Sequence, residues 1–230
     1  MPGFQTWTVP ASGRYKIWLY GAGNQLAGTF GASLVSVFEL MVGSKLHIVI
    51  GQCGDTKYAG CGGSFVALAV DDAGHKPTPL VIAGGAAGAE RPNRFSNASG
   101  SKYGHMSDTI RKNNIKYGDG GNGYNGAGGG AGFFTNGAGS KFKNAKTFKK
   151  GLVGGFGRDG FLYTGKRQPG HDGGFGGGGA GIGGMGGGGG YTGGHGGTSL
   201  AGGGGSLSMD GLAHVSIDNI SSGRCVITKL

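Results

Sequence analysis

In residues 171–205, 22 of 35 positions are glycine. No other feature restricts the fold of this chain so strongly. Glycine loses more conformational freedom on folding than any other residue and brings no side chain to bury. A hydrophobic core therefore cannot order such a stretch by itself. It is either a flexible tether or a solid held by backbone hydrogen bonds. A tether would read as Gly-Ser text. This stretch is poor in Ser, and the wider glycine-rich region sets single large residues between its glycines: Phe133, Phe134, Phe156, Phe161, Tyr163, Phe175, Ile182, Met185 and Tyr191. That pattern predicts a packed bundle of extended threefold helices, each bonding N–H to C=O of its neighbours. Any Cβ between neighbours would block it, as at the collagen axis. Gly176, Gly177, Gly178 and Gly179, and Gly186, Gly187, Gly188, Gly189 and Gly190, are the candidate structural glycines. Collagen itself is excluded, because glycine does not recur strictly every third residue and only 6 of 230 residues are Pro.

The ends of the chain read differently. Tyr15, Ile17 and Leu19 alternate with polar or amphipathic neighbours, as do Leu46, Ile48 and Ile50. Residues 34–40, 64–70 and 79–83 are apolar and rich in β-formers. Turn signals at 11–13, 42–44 and 71–74 separate these runs, so they predict short antiparallel strands in a sandwich or barrel. Strand-like text resumes over residues 207–230. The expected organisation is all-β, with sandwich halves at 1–85 and 207–230 and a glycine-rich insert at 86–206, forming one composite domain. Sustained helical periodicity is absent; Phe142, Ala145 and Phe148 would allow one short helix.

The net charge is +10. Lys141, Lys143, Lys146, Lys149, Lys150, Arg158, Lys166 and Arg167 face Asp159 alone, a local charge of +7. Arg111, Lys112 and Lys116 form a second patch. Such clusters attract polyanions of any kind, or serve solubility alone. Of the three cysteines, Cys53 and Cys61 flank a short loop and admit a bridge across it. Cys225 is then the odd one and a candidate for an intermolecular bond. Three reduced thiols is the other reading. Sequons stand at Asn97 and Asn219, which matter for a secreted chain.

The ordered motifs carry a resemblance. Trp7-Thr-Val-Pro-Ala-Ser-Gly13 leads into Tyr15-Lys-Ile-Trp-Leu-Tyr-Gly-Ala22. These are followed by Gly62-Gly-Ser-Phe-Val-Ala67, Pro79-Leu-Val-Ile-Ala-Gly-Gly85, Gly173-Gly-Phe-Gly-Gly-Gly-Gly179, and the glycine run that ends in Tyr191-Thr-Gly-Gly194. Together they resemble the glycine-rich extracellular domain of the anaplastic lymphoma kinase and leukocyte tyrosine kinase receptors over nearly the whole chain. The resemblance implies a tumour-necrosis-factor-like, jelly-roll-like β-sandwich interrupted by polyglycine-II helices. The receptors' ligand contacts do not carry over, because no ligand-contacting motif matches.

No Walker A motif, nucleophile elbow or His-Glu-x-x-His is present, so no enzyme and no cofactor are expected. His171-Asp172 and His195 are weak candidates for a metal or surface role. The leading expectation is an extracellular structural protein that self-assembles through its glycine bundle and turns a basic face to an anionic polymer or mineral such as silica. A surface adhesin or receptor-type module binding a protein ligand is the alternative, with loops 90–118 and 141–170 as its recognition elements. Nucleic acid is disfavoured, because a repeated alternation of Arg with exposed aromatics is not evident. No apolar run is long enough to span a membrane. The N-terminal residues show no basic n-region and no apolar h-region, as expected of a cytosolic protein or of a mature form after processing.

Overall fold

The computed structural model describes residues 3–69, 76–110, 115–139, 144–157, 159–161, 167–211 and 214–230, and of Gly160, Phe161, Arg167, Gln168 and Ile182 the backbone only. The chain opens with β1 (Gln5–Thr8), β2 (Gly13–Tyr20), β3 (Gly31–Leu40), β4 (Lys45–Val49), β5 (Ser64–Leu68) and β6 (Thr78–Ala83). The described part of the glycine-rich region adds the two-residue strands β7 (Gly160–Phe161), β8 (Arg167–Gln168), β9 (Gly170–His171) and β10 (Gly181–Ile182). Then come β11 (Leu207–Ser208), β12 (His214–Asn219) and β13 (Arg224–Lys229).

Two antiparallel sheets form a sandwich. The first has the order β1-β4-β5-β6-β11 and the second β12-β3-β2-β13. Alternation along β2 sends Tyr15, Ile17 and Leu19 inward and leaves Lys16, Trp18 and Tyr20 outside. Leu34 and Leu40 of β3 join them from the second sheet. Leu46, Ile48, Val66 and Val81 complete this core from the first.

The first sheet is buried on both faces. Val49, Phe65 and Ile82 point away from the second sheet and pack with Phe133, Phe148 and Leu152, with Phe4, Phe175 and Tyr191 at the rim. Double burial explains why β5 and β6 read as apolar on both sides. β6 and β11 are partners, with Leu207 opposite Ile82 and Ser208 opposite Val81. The strands that bracket the glycine-rich region are thus bonded to each other, and both of its ends are held. β1 was not foreseen from the sequence: its exposed edge text, Gln-Thr-Trp-Thr, carries no apolar alternation.

The glycine runs are ordered by hydrogen bonds that follow a period of three. Gly186 and Gly189 donate to Tyr58 and Cys61, three residues apart on one neighbouring segment. Gly187 and Gly190 donate to Gly128 and Ala131, again three apart on a second, and Gly188 donates to Gly202 on a third. The carbonyls repeat the scheme. Those of Gly186 and Gly189 accept from Gly88 and Gly85, that of Gly187 from Gly179, and that of Gly188 from Gly194. Six segments therefore surround residues 186–190, three accepting and three donating. Strand ladders cannot do this, because their bonds leave the chain in only two opposite directions. A Cβ built on Gly186, Gly187, Gly188, Gly189 or Gly190 would meet main-chain atoms of Gly179, Gly194, Gly85, Gly176 and Gly205 respectively, well inside van der Waals contact. Gly178 and Gly179 are enclosed in the same way by Gly60 and Gly128. Gly176 and Gly177 have φ of +99° and +84°, where a side chain would be strained.

Candidate functional site

The described part of the basic cluster, Lys146, Lys149 and Lys150, lies beside one buried ring. Phe148 opens a 3-10 turn, Phe148–Lys150, in which the Thr147 hydroxyl accepts the Lys150 N–H at 3.3 Å and Gly151 closes in the left-handed region. This turn is all the helix the 144–150 stretch forms. Thr147 is itself tied down by its N–H, which donates to the Asn136 side chain at 3.1 Å. Phe148 stacks on Phe133 at 4.7 Å, meets Phe4 edge-on at 4.9 Å and reaches Phe65 of β5 at 5.9 Å. With that ring in the core, Lys149 and Lys150 point to solvent and Lys146 is half-buried. Lys141, Lys143, Arg158 and Lys166 lie outside the described residues. Of Arg167 only the backbone is described, paired with Phe161 between β8 and β7. In the second patch, Lys116 is exposed, while Arg111 and Lys112 lie outside the described residues.

Cys53 and Cys61 form a disulfide, which packs on Ala22 and Ala86 where the sandwich meets the glycine bundle. Cys225 stands on β13 with its side chain against the inter-sheet core. It lines a groove of about 560 Å³ together with Trp7, Ile50 and Ile227. Burial pushes its thiol up to about 12. A thiol held protonated reacts slowly.

The sequon asparagines are both engaged. Asn97 accepts the Phe30 N–H at 3.0 Å, and Asn219 donates to the carbonyls of Gly21, Ser221 and Ser222 at 2.6, 3.0 and 3.2 Å.

The histidines divide by burial. His171 stacks on Tyr58 at 4.9 Å, and burial lowers its pKa against the opposing pull of Asp55, Asp159 and Asp172. His195 is fully buried among the glycines. Its Nδ1 accepts the Asn122 N–H at 3.0 Å, so the ring is the neutral Nε2–H tautomer, and Nε2 has no partner among the described residues. Burial lowers its pKa, as it does for His105. Among the described residues no three His, Cys, Asp or Glu side chains are placed to hold a metal.

These shifts predict an acid limit to stability. The folded protein resists protonation of His195 and His105, so the unfolded chain binds more protons as pH falls through the ordinary histidine value of about 6.5. Stability is full above that pH and declines below it. The melting temperature is expected to be flat from about pH 7.5 to 8.5 and to drop between about pH 6.5 and 5, with a shallower drop in His195→Gln. Equal melting temperatures at pH 5 and 7.5 would contradict the neutral, buried assignment.

Sequence reasoning missed a set of exposed aromatic rings on the 94–134 face. Its signal was present: Arg94-Phe95, Lys102-Tyr103 and Lys116-Tyr117 each place a cation beside an aromatic residue. No protein-family model matches the chain. Among the described residues no helix is long and apolar enough to cross a membrane.

Proposed function

We propose that this chain is a non-enzymatic extracellular scaffold. In this reading the sandwich is tumour-necrosis-factor-like and the insert is a bundle of polyglycine-II helices, the architecture implied by the resemblance to the anaplastic lymphoma kinase type of glycine-rich domain. The period-three hydrogen bonding and sixfold surroundings of residues 186–190 support the polyglycine-II assignment. The Cys53–Cys61 bridge supports an oxidising compartment. The scaffold's task is to hold a cationic face against an anionic polymer or mineral, with silica as one such surface.

The observation that carries this reading is the Phe148 anchor. It fixes Lys149 and Lys150 outward on a turn that cannot fold back into the core. Exposed charges act through water and are screened beyond about 8 Å at physiological salt. Sedimentation with silica particles or long-chain polyphosphate is therefore expected to fall as salt rises. Replacing Lys149 and Lys150 with Gln should weaken it, and adding Lys141→Gln, Lys143→Gln and Lys146→Gln should abolish it. Equal sedimentation of wild type and the five-fold variant would leave the charge with solubility as its only role.

A second reading, the adhesin or receptor-type module, is favoured by the way the bundle closes on itself. The N–H groups of residues 186–190 all bond within the chain, so the central glycine rows offer nothing to a second copy. Self-association would use outer glycine rows or sheet edges such as β1 and β13. Filaments in negative stain would favour assembly; discrete monomers would favour the module.

A further inference from the structure

Four exposed aromatics of the glycine-rich region stand on adjoining backbone segments. Phe95, Tyr103, Tyr117 and Phe134 are 36, 41, 50 and 58% exposed. The bundle places them side by side. The Phe95 carbonyl accepts the Gly203 N–H at 2.9 Å, and the backbone of Lys102 and Tyr103 abuts Gly205, two residues further along that segment. The Tyr103 and Tyr117 rings stack at 4.2 Å with 28° between their planes. Gly118, the next residue, accepts the Phe134 N–H at 2.9 Å and lies beneath the Phe134 ring. The four residues thus form a strip on adjoining segments, with the Tyr103 and Tyr117 rings in contact and the Phe134 ring over the glycine that follows Tyr117.

Cations accompany the strip. Arg94, Lys102 and Lys116 are exposed, and the Arg94 guanidinium lies 4.7 Å over the Phe95 ring. Among the described residues, none of these three side chains forms an ion pair with a carboxylate. The two acids within residues 94–134 are engaged. Asp108 accepts the N–H groups of Thr198 and Ser199 at 2.9 and 2.7 Å. Asp119 accepts the Lys116 N–H at 3.2 Å and the Thr135 hydroxyl at 3.3 Å.

A contiguous exposed apolar patch with a polar rim marks an interaction surface. Here the rim is cationic, so the partner must be flat, partly apolar and anionic. A pyranose carrying a carboxylate or sulfate meets all three conditions. Its C–H face lies on the electron-rich ring face, and its anionic group reaches Arg or Lys in a charge-assisted hydrogen bond. We propose that the 94–134 strip binds an acidic polysaccharide chain. Single-stranded nucleic acid also stacks on exposed rings beside cations and is the competing outcome of the test. The Cys53–Cys61 bridge also belongs to an oxidising compartment, where acidic polysaccharides abound. This site is separate from the Phe148 turn and needs neither mineral binding nor self-association.

The test uses the full chain with three probes: a heparin octasaccharide, an alginate octasaccharide and a ten-residue oligothymidylate. Wild type is expected to bind at least one saccharide, more weakly as salt rises. The double change Tyr103→Ala, Tyr117→Ala should weaken that binding about tenfold with silica sedimentation unchanged, while Tyr103→Phe, Tyr117→Phe preserves it. Should the alanine variant misfold, Arg94→Gln, Lys102→Gln, Lys116→Gln keeps every ring and should lower both affinity and its salt dependence. Absence of saccharide binding, full binding by the folded alanine and glutamine variants, or tighter binding of oligothymidylate than of either saccharide would each overturn the proposal. Unchanged silica sedimentation in the five-fold lysine variant together with normal saccharide binding would overturn the mineral reading and leave this one standing.

Discussion

Gly188→Val is expected to destabilise the protein by at least about 4 kcal/mol, enough to remove the cooperative transition or lower its midpoint by about 10 °C or more. The Cβ built at this position comes up against the Gly85 carbonyl oxygen, with the Gly204 nitrogen at 2.7 Å and the Ala86 oxygen at 2.8 Å. Those first two atoms are partners, since Gly204 N–H donates to the Gly85 carbonyl at 2.9 Å. A side chain here is therefore a wedge in a hydrogen bond, and main chain has no rotamer with which to yield. The bond between Gly204 and Gly85 is lost. Those from Gly188 to Gly202 and from Gly194 to Gly188 are displaced with it, at about 1 kcal/mol each. Overpacking adds about 1–3 kcal/mol. The contrast is Gly43→Ala, where φ is +82° and the space is open. It should cost only the left-handed penalty of about 1–2 kcal/mol. Thermal melts of the two variants check the pair, and equal midpoints would show that residue 188 is not enclosed.

The sandwich was legible because its strands obey period-two rules. Ile17 and Leu19 of β2 and Leu46 and Ile48 of β4 were placed correctly by alternation alone. β3 begins at Gly31, earlier than the apolar run starting at Leu34, because Gly31, Ala32 and Ser33 are small residues buried without a hydrophobic signal. The existence of an ordered insert was legible from the large residues between its glycines. Phe133, Phe175, Tyr191 and Met185 do pack, whereas Phe134 and Phe156 are exposed. Phe161, Tyr163 and Ile182 have no described side chains.

What could not be read is which glycine segment neighbours which. A strand encodes its register in side chains, and a run such as 186–190 has none. Its position follows from the flanking anchors, with Met185 packed against Ala87 and Ala201, and Tyr191 at the rim of the Phe148 cluster. The candidate site shows the same division. The density of lysines over 141–150 was visible, but the reason Lys149 and Lys150 face outward lies in the ring contacts of Phe148. The aromatic strip was hidden for a related cause. Phe95, Tyr103, Tyr117 and Phe134 are spread over 40 positions of sequence, and only the bundle brings them together.

Hydrogen exchange of residues 171–205 tests most directly whether glycine without side chains forms a folded solid here. Nearly every glycine in the stretch is buried, and its N–H groups donate to carbonyls on other segments. Opening any one of them requires parting several neighbours, so local fraying is suppressed and exchange should proceed through sub-global unfolding. Amides of Gly179, Gly187, Gly188, Gly189, Gly194 and Gly204 are expected to exchange at least about a thousandfold more slowly than an unstructured glycine peptide, on a par with β2 and β3. Fast exchange throughout residues 171–205, with the strands still protected, would contradict the account and return the stretch to a tether.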